Sequence, residues 1–212
     1  MAVVSALILC GACSPEGAAP LGPRSRSGDL TALLAAPDAH YRYAGGYIDL
    51  VVNPSELVVE TLESDPTSAL RAIESAAALN SVQHERLSAI RDHWRIKLPM
   101  GTARQAASDL QDRILSDARF RFVSPMWLTR EGAPVAVTRT IAVRFRLGTS
   151  ATQIESLVRK YQLSLRRRPS ADSGFTEYLF RVAANRGETV LDAADSLATS
   201  TLVEFADVEK II

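Results

Sequence analysis

The feature that most constrains this chain is a run of alternating patterns between residues 141 and 208. Ile141, Val143, Phe145 and Leu147 alternate with Ala142, Arg144 and Arg146, which predicts a half-buried strand of period two. Gly148-Thr149-Ser150 turns the chain, and Ser150 with Gln153 has the spacing of a capping box at a helix start. Ile154, Leu157, Val158 and Tyr161 follow at helical spacing. Leu163 and Leu165 open a second strand ending in Arg166-Arg167-Arg168-Pro169. Tyr178, Phe180 and Val182 mark a third strand. Beyond Gly187, the residues Val190, Leu191, Ala194 and Leu197 mark a second helix, and Leu202 to Val208 a last strand. This βαββαβ order predicts two helices on one face of an antiparallel sheet.

The preceding segment repeats the order more loosely. Leu57-Val58-Val59-Glu60-Thr61 stands where Ile141 stands in the later copy, and Phe122 where Phe205 stands. Asp65-Pro66 is a helix start with proline at the first helical position, and Leu70, Ile73 and Ala77 form its apolar stripe. Residues 81–92 pattern as a further helix, an insert in this copy. Trp94, Ile96 and Leu98 alternate as a strand. Thr102 and Gln105 have capping-box spacing before Ala107, Leu110 and Ile114, and Phe120 and Phe122 lie on one face of a closing strand. Tyr47 to Val52 forms an extra leading strand, with a turn at Asn53-Pro54. Glu131-Gly132-Ala133-Pro134 marks the boundary between copies. The expected fold is α+β: two tandem ferredoxin-like domains, 41–132 and 133–212. Trp94 is expected in a core; Trp127, near the boundary, is expected in a core or between the copies.

Charge narrows the function classes. Lys+Arg and Asp+Glu are both 24, so net charge is zero, and only three of the basic residues are lysine. A basic nucleic-acid binder shows a surplus, so no nucleic-acid partner is expected. No apolar run reaches the ~20 residues of a membrane-spanning helix.

The amino terminus reads as an address. Residues 2–9 are continuously apolar, like the core of a secretory signal, though no Lys or Arg precedes them. Cys10-Gly11-Ala12-Cys13 has redox C-x-x-C spacing, but it runs into a Pro-, Gly- and Ser-rich stretch rather than a helix that would lower a thiol pKa. It resembles a bacterial lipobox, with Cys10 where leucine is commoner. That resemblance implies a signal over 1–12, a lipidated Cys13, a tether over 13–40, and a lipid-anchored protein of the cell envelope whose membrane contact is the anchor.

Four stretches in order resemble the propeptides of subtilisin-type serine proteases: residues 140–150, residues 153–165 with Tyr161-Gln-Leu-Ser-Leu, Tyr178-Leu-Phe-Arg-Val182, and Leu202-Val-Glu-Phe-Ala206. The resemblance covers about residues 137–212. It implies a non-catalytic protein, an inhibitor or folding chaperone of a separate subtilisin-like protease. In that family the chain leaving the last strand enters the protease cleft in extended form. Here that tail is Asp207, Val208, Glu209, Lys210, Ile211 and Ile212. It departs from the acidic-Pro-Asn type that usually follows the alanine. The alternatives are an envelope scaffold with no protease partner, and a fragment of a secreted subtilisin-like protease.

Other candidates read as ordinary structure. Asp172-Ser173-Gly174 and Gly148-Thr149-Ser150 look like fragments of subtilisin motifs, but no histidine follows residue 93 to complete a triad. His84 and His93 lack the three or four converging ligands of a metal site, and read as surface residues of the helical insert. No metal or cofactor is expected. Arg144, Arg146, Arg166 and Arg168 could form a basic surface, for which a solvated edge is the plainer expectation.

Overall fold

A computed structural model describes residues 37–43, 46–63, 65–78, 83–87, 92–169 and 177–211. Expectations for the signal, for Cys13, for most of the tether, for Asp172-Ser173-Gly174 and for Ile212 fall outside these. The described chain is mixed α+β, with antiparallel sheets and four helices. Its elements run β1 (Ala39–Tyr43), β2 (Gly46–Thr61), α1 (Pro66–Ala77), β3 (Gln83–Arg86), β4 (His93–Lys97), α2 (Arg104–Ser116) and β5 (Phe120–Thr129). Then come β6 (Pro134–Phe145), α3 (Ala151–Lys160), β7 (Leu163–Arg167), β8 (Tyr178–Val182), α4 (Gly187–Ala198) and β9 (Val203–Ile211).

The pairing repeats. In the first half β2 lies between β4 and β5, and β3 pairs β4, giving the order β5-β2-β4-β3. In the second half β6 lies between β8 and β9, and β7 pairs β8, giving β9-β6-β8-β7. The halves are joined by a tight β5–β6 hairpin, Trp127 opposite Val135 and Leu128 opposite Pro134, turned at Gly132 with φ +81°. A left-handed backbone there suits glycine.

Each half buries one sheet face under its helices. In the first, Leu57, Val59, Trp94 and Ile96 pack with Ala72 and Ile73 of α1 and Leu110 and Ile114 of α2. In the second, Ile141, Val143, Phe180 and Val182 pack with Leu157 of α3 and Val190, Leu191 and Leu197 of α4. The second core also takes side chains from the first half: Tyr41, Leu50, Phe122 and Trp127.

Local chemistry accounts for the helix starts. Asp65 caps α1, its carboxylate accepting from Ser68 N at 2.8 Å, with Pro66 in the first turn. Ser150 and Gln153 form the reciprocal capping box of α3, so the Gly148-Thr149-Ser150 turn is a helix cap. The box expected at Thr102 and Gln105 does not form. Ala103 occupies the cap position without a side-chain bond, the Thr102 hydroxyl donates to Pro99 O, and Gln105 bonds Asp109.

Four further expectations are corrected. The stretch 81–92 contains β3 and leads into β4, so this copy carries a β-hairpin where a helical insert was expected, and His93 begins a strand. Asn53-Pro54 lies inside β2 rather than ending a strand; the irregularity is a register shift between Asn53 and Leu57 against β5. The tether expected to reach residue 40 gives way at Ala39 to β1, which pairs with β2. The last strand runs to Ile211, not Val208, so five of the six expected tail residues are sheet.

One contact fixes α4 against β5. A Cβ added at Gly187 would lie 2.1 Å from Ser124 Oγ and 2.6 Å from Ser124 Cβ. Ser124 is itself held, donating to Pro125 O and accepting from Trp127 Nε1. Gly187→Ala should therefore lower stability by about 2–3 kcal/mol, the upper range of overpacking. A urea-unfolding midpoint checks this, and adding Ser124→Gly should recover part of the loss.

Candidate functional site at the seam between the halves

Between the halves lies a seam lined by residues of both. Leu57 and Val59 point to the first core, so Val58 and Glu60 point the other way. In β6, Ile141 and Val143 point to the second core and Thr140 points away. Val58, Met126 and Ala136 form a small apolar cluster here. Beside it lies a cavity of about 50 Å³, lined by charged and polar residues of both halves.

Glu60 is the centre of this seam and only 3% exposed. Its carboxylate accepts two hydrogen bonds from one guanidinium, Arg139 Nε to Oε2 and Arg139 Nη2 to Oε1, both at 2.8 Å. A fork of this kind is among the stronger side-chain pairings. Arg181 Nη2 stands 3.9 Å from Oε1 and His93 Nε2 3.8 Å from Oε2. Arg166 reaches the same place and donates to Thr140 Oγ1 at 3.1 Å. Glu209 of β9 accepts from Thr138 Oγ1 at 3.1 Å.

Electrostatics follow from burial and pairing. Burial pushes the Glu60 carboxyl upward, but the Arg139 hydrogen bonds and the charges of Arg139, His93 and Arg181 outweigh it and hold Glu60 below the usual range. Burial pulls the His93 imidazole below its ordinary value, against the opposing pull of Glu60, Asp92 and Glu209. His93 is 4% exposed, and neither ring nitrogen makes a hydrogen bond among the described residues. Burial also lowers Arg181, helped by the like charges of Arg139, Arg166 and Arg121.

Two further contacts fasten the seam. Val123 N donates to Asn185 O at 2.9 Å, and Arg186 pairs with Asp112. At the N-terminal edge, Arg42 Nε stands 3.4 Å from Asp195 of α4, and the Lys210 ammonium lies 3.8 Å from the Tyr41 ring centre.

The sequence-predicted site residues are dispersed. Asp207 to Ile211 belong to β9, where Lys210 pairs with Val137 and Ile211 with Ala136 of β6. Asp207 is bound by Lys210 at 3.1 Å, and burial raises its carboxyl. Arg144 pairs with Glu177 and with Glu204 and covers the Phe205 ring. Arg146 and Arg168 are exposed. Of the four arginines, Arg166 alone lines the seam cavity. His93, expected on the surface of a helix, is buried in a strand. Among the described residues no group of three His, Cys, Asp or Glu side chains is placed to hold a metal, and no helix is long and apolar enough to cross a membrane.

Sequence reading missed Glu60, His93, Arg139 and Arg181. A signal existed for two of them. Glu60 closes the otherwise apolar run Leu57-Val58-Val59, and Arg139 sits between the apolar runs 135–137 and 141–143.

No family model matches the chain, and no curated protein matches it. Among solved structures, it is similar to a chain described as "Sxl-lethal protein/RNA complex", at 12% identity and a TM-score of 0.29, over 73% of this chain and 98% of that one. That structure is a complex with RNA, which conflicts with the expectation of no nucleic-acid partner. At this TM-score the likeness gives no ground for assigning a ligand.

Proposed function

We propose that this chain is a non-catalytic binding module of two tandem ferredoxin-like units, an interaction or scaffold component of the cell envelope carried on a lipidated Cys13. The observation that supports the two-unit reading is the recurrence of one strand order, β5-β2-β4-β3 and then β9-β6-β8-β7, with each half's helices packed over one face of its sheet. The scaffold role draws its support from β9. A plug for a protease cleft has to be available as an extended strand, and residues 207–211 are already part of the sheet with β6.

A second reading keeps the role that the propeptide resemblance implies, an inhibitor or folding helper of a separate protease. The observation favouring it is a register shift between Val137 and Ile141, beyond which the backbone pairing of β9 with β6 among the described residues is at Lys210 and Ile211. That short end could peel away without dismantling the strand. Incubating the chain with subtilisin-type proteases decides between the two. The scaffold role expects unchanged turnover of a small peptide substrate and unchanged refolding of the denatured protease. Competitive inhibition or accelerated refolding would overturn it in favour of the protease role.

A further inference from the structure

We propose that the seam between the halves is an acid-operated latch whose trigger is His93. Such a latch would work whatever the module binds. The Glu60–Arg139 fork is a charged link between the halves, and it is buried. His93 Nε2 lies 3.8 Å from Glu60 Oε2, the same oxygen that Arg139 Nε occupies at 2.8 Å. A neutral imidazole leaves that bond alone. An imidazolium is a second cation competing for one oxygen.

The surroundings set the effect of protonation. Glu60 of β2, Asp92 of the turn before β4, Arg139 and the hydroxyls of Thr138 and Thr140 on β6, Arg166 of β7, Arg181 of β8 and Glu209 of β9 all face the cavity. The carboxylates favour a charged His93, but two of them are already engaged: Glu60 is bonded by Arg139 and Glu209 by Thr138. A proton on His93 therefore competes with Arg139 for Glu60, whose bond joins the halves. The cavity gives the ring room to turn and water room to enter, since about 50 Å³ exceeds the space one water needs.

The sign follows from the depressed pKa. The unfolded chain takes up a proton near the ordinary histidine value of about 6.5, whereas folded His93 resists until lower pH. Stability is full above that value and falls as pH drops toward the folded pKa. Glu60 adds a loss at lower pH, once carboxylates protonate.

Histidine NMR of the full chain tests this. His93 is expected to titrate below the ordinary histidine value of about 6.5. The Arg139 Nε–H signal should be protected at neutral pH and lost with the His93 midpoint. The urea midpoint should fall in the same window, and His93→Gln should remove that part of the fall. The latch is overturned if His93 titrates at or above the ordinary histidine value, if the Arg139 signal survives protonation of His93, or if wild type and His93→Gln lose stability in parallel. Should His93→Gln not fold, the wild-type NMR measurements decide alone.

Discussion

Arg139→Met is expected to destabilise the protein by about 3–5 kcal/mol, the cost of leaving one member of a buried ion pair without its partner. Glu60 is 3% exposed and takes both of its close hydrogen bonds from this guanidinium. Arg181, at 3.9 Å, lies too far to replace the fork. The double variant Glu60→Leu/Arg139→Met should recover most of the loss, because removing both charges leaves nothing to desolvate. Urea unfolding of the three variants checks this. A single variant within about 1 kcal/mol of wild type, the size of an exposed pair, would mean that solvent reaches Glu60 and that the seam is looser than its geometry. The pH dependence carries the same sign. Glu60's lowered pKa stabilises the wild-type fold above the ordinary carboxyl value and is lost as pH falls through the folded pKa. Without Arg139 that contribution should disappear.

Deleting residues 207–212 should cost on the order of 5 kcal/mol, comparable with the whole stability of many domains. Val208 is 2% exposed and pairs with Ile141, so its loss uncovers a buried strand as well as removing a buried side chain. The deletion also removes the ladder to Ala136 and Val137, the Glu209–Thr138 bond and the Lys210 contact with Tyr41. Circular dichroism and thermal unfolding of the truncated chain provide the check. A truncated protein as stable as the full one would restore the free-tail picture that the propeptide resemblance implies.

The second half was more legible than the first because its signals are local. Period-two alternation from Ile141, the Ser150–Gln153 cap and the stripes on α3 and α4 each lie within a dozen residues. β3 escaped because Gln83, His84, Glu85 and Arg86 are all exposed, so no apolar alternation reveals a strand. The end of β9 escaped because Glu209 and Lys210 read as a polar tail, although their partners on Thr138, Asp207 and Tyr41 hold them to the sheet. The seam could not be read at all from spacing. Glu60 and Arg139 are 79 residues apart, and only the antiparallel return of β6 brings them together.

The β5–β6 hairpin sets how this protein can be taken apart. Its turn leaves no linker to cut, and Trp127, on the upstream arm, is packed with residues of the downstream half. A scissors cut at Gly132 would strand an indole without its pocket and leave the downstream piece with an empty slot. The first half keeps its own core, but the second is expected to be less stable alone, because Tyr41, Leu50, Phe122 and Trp127 complete its core from the first half.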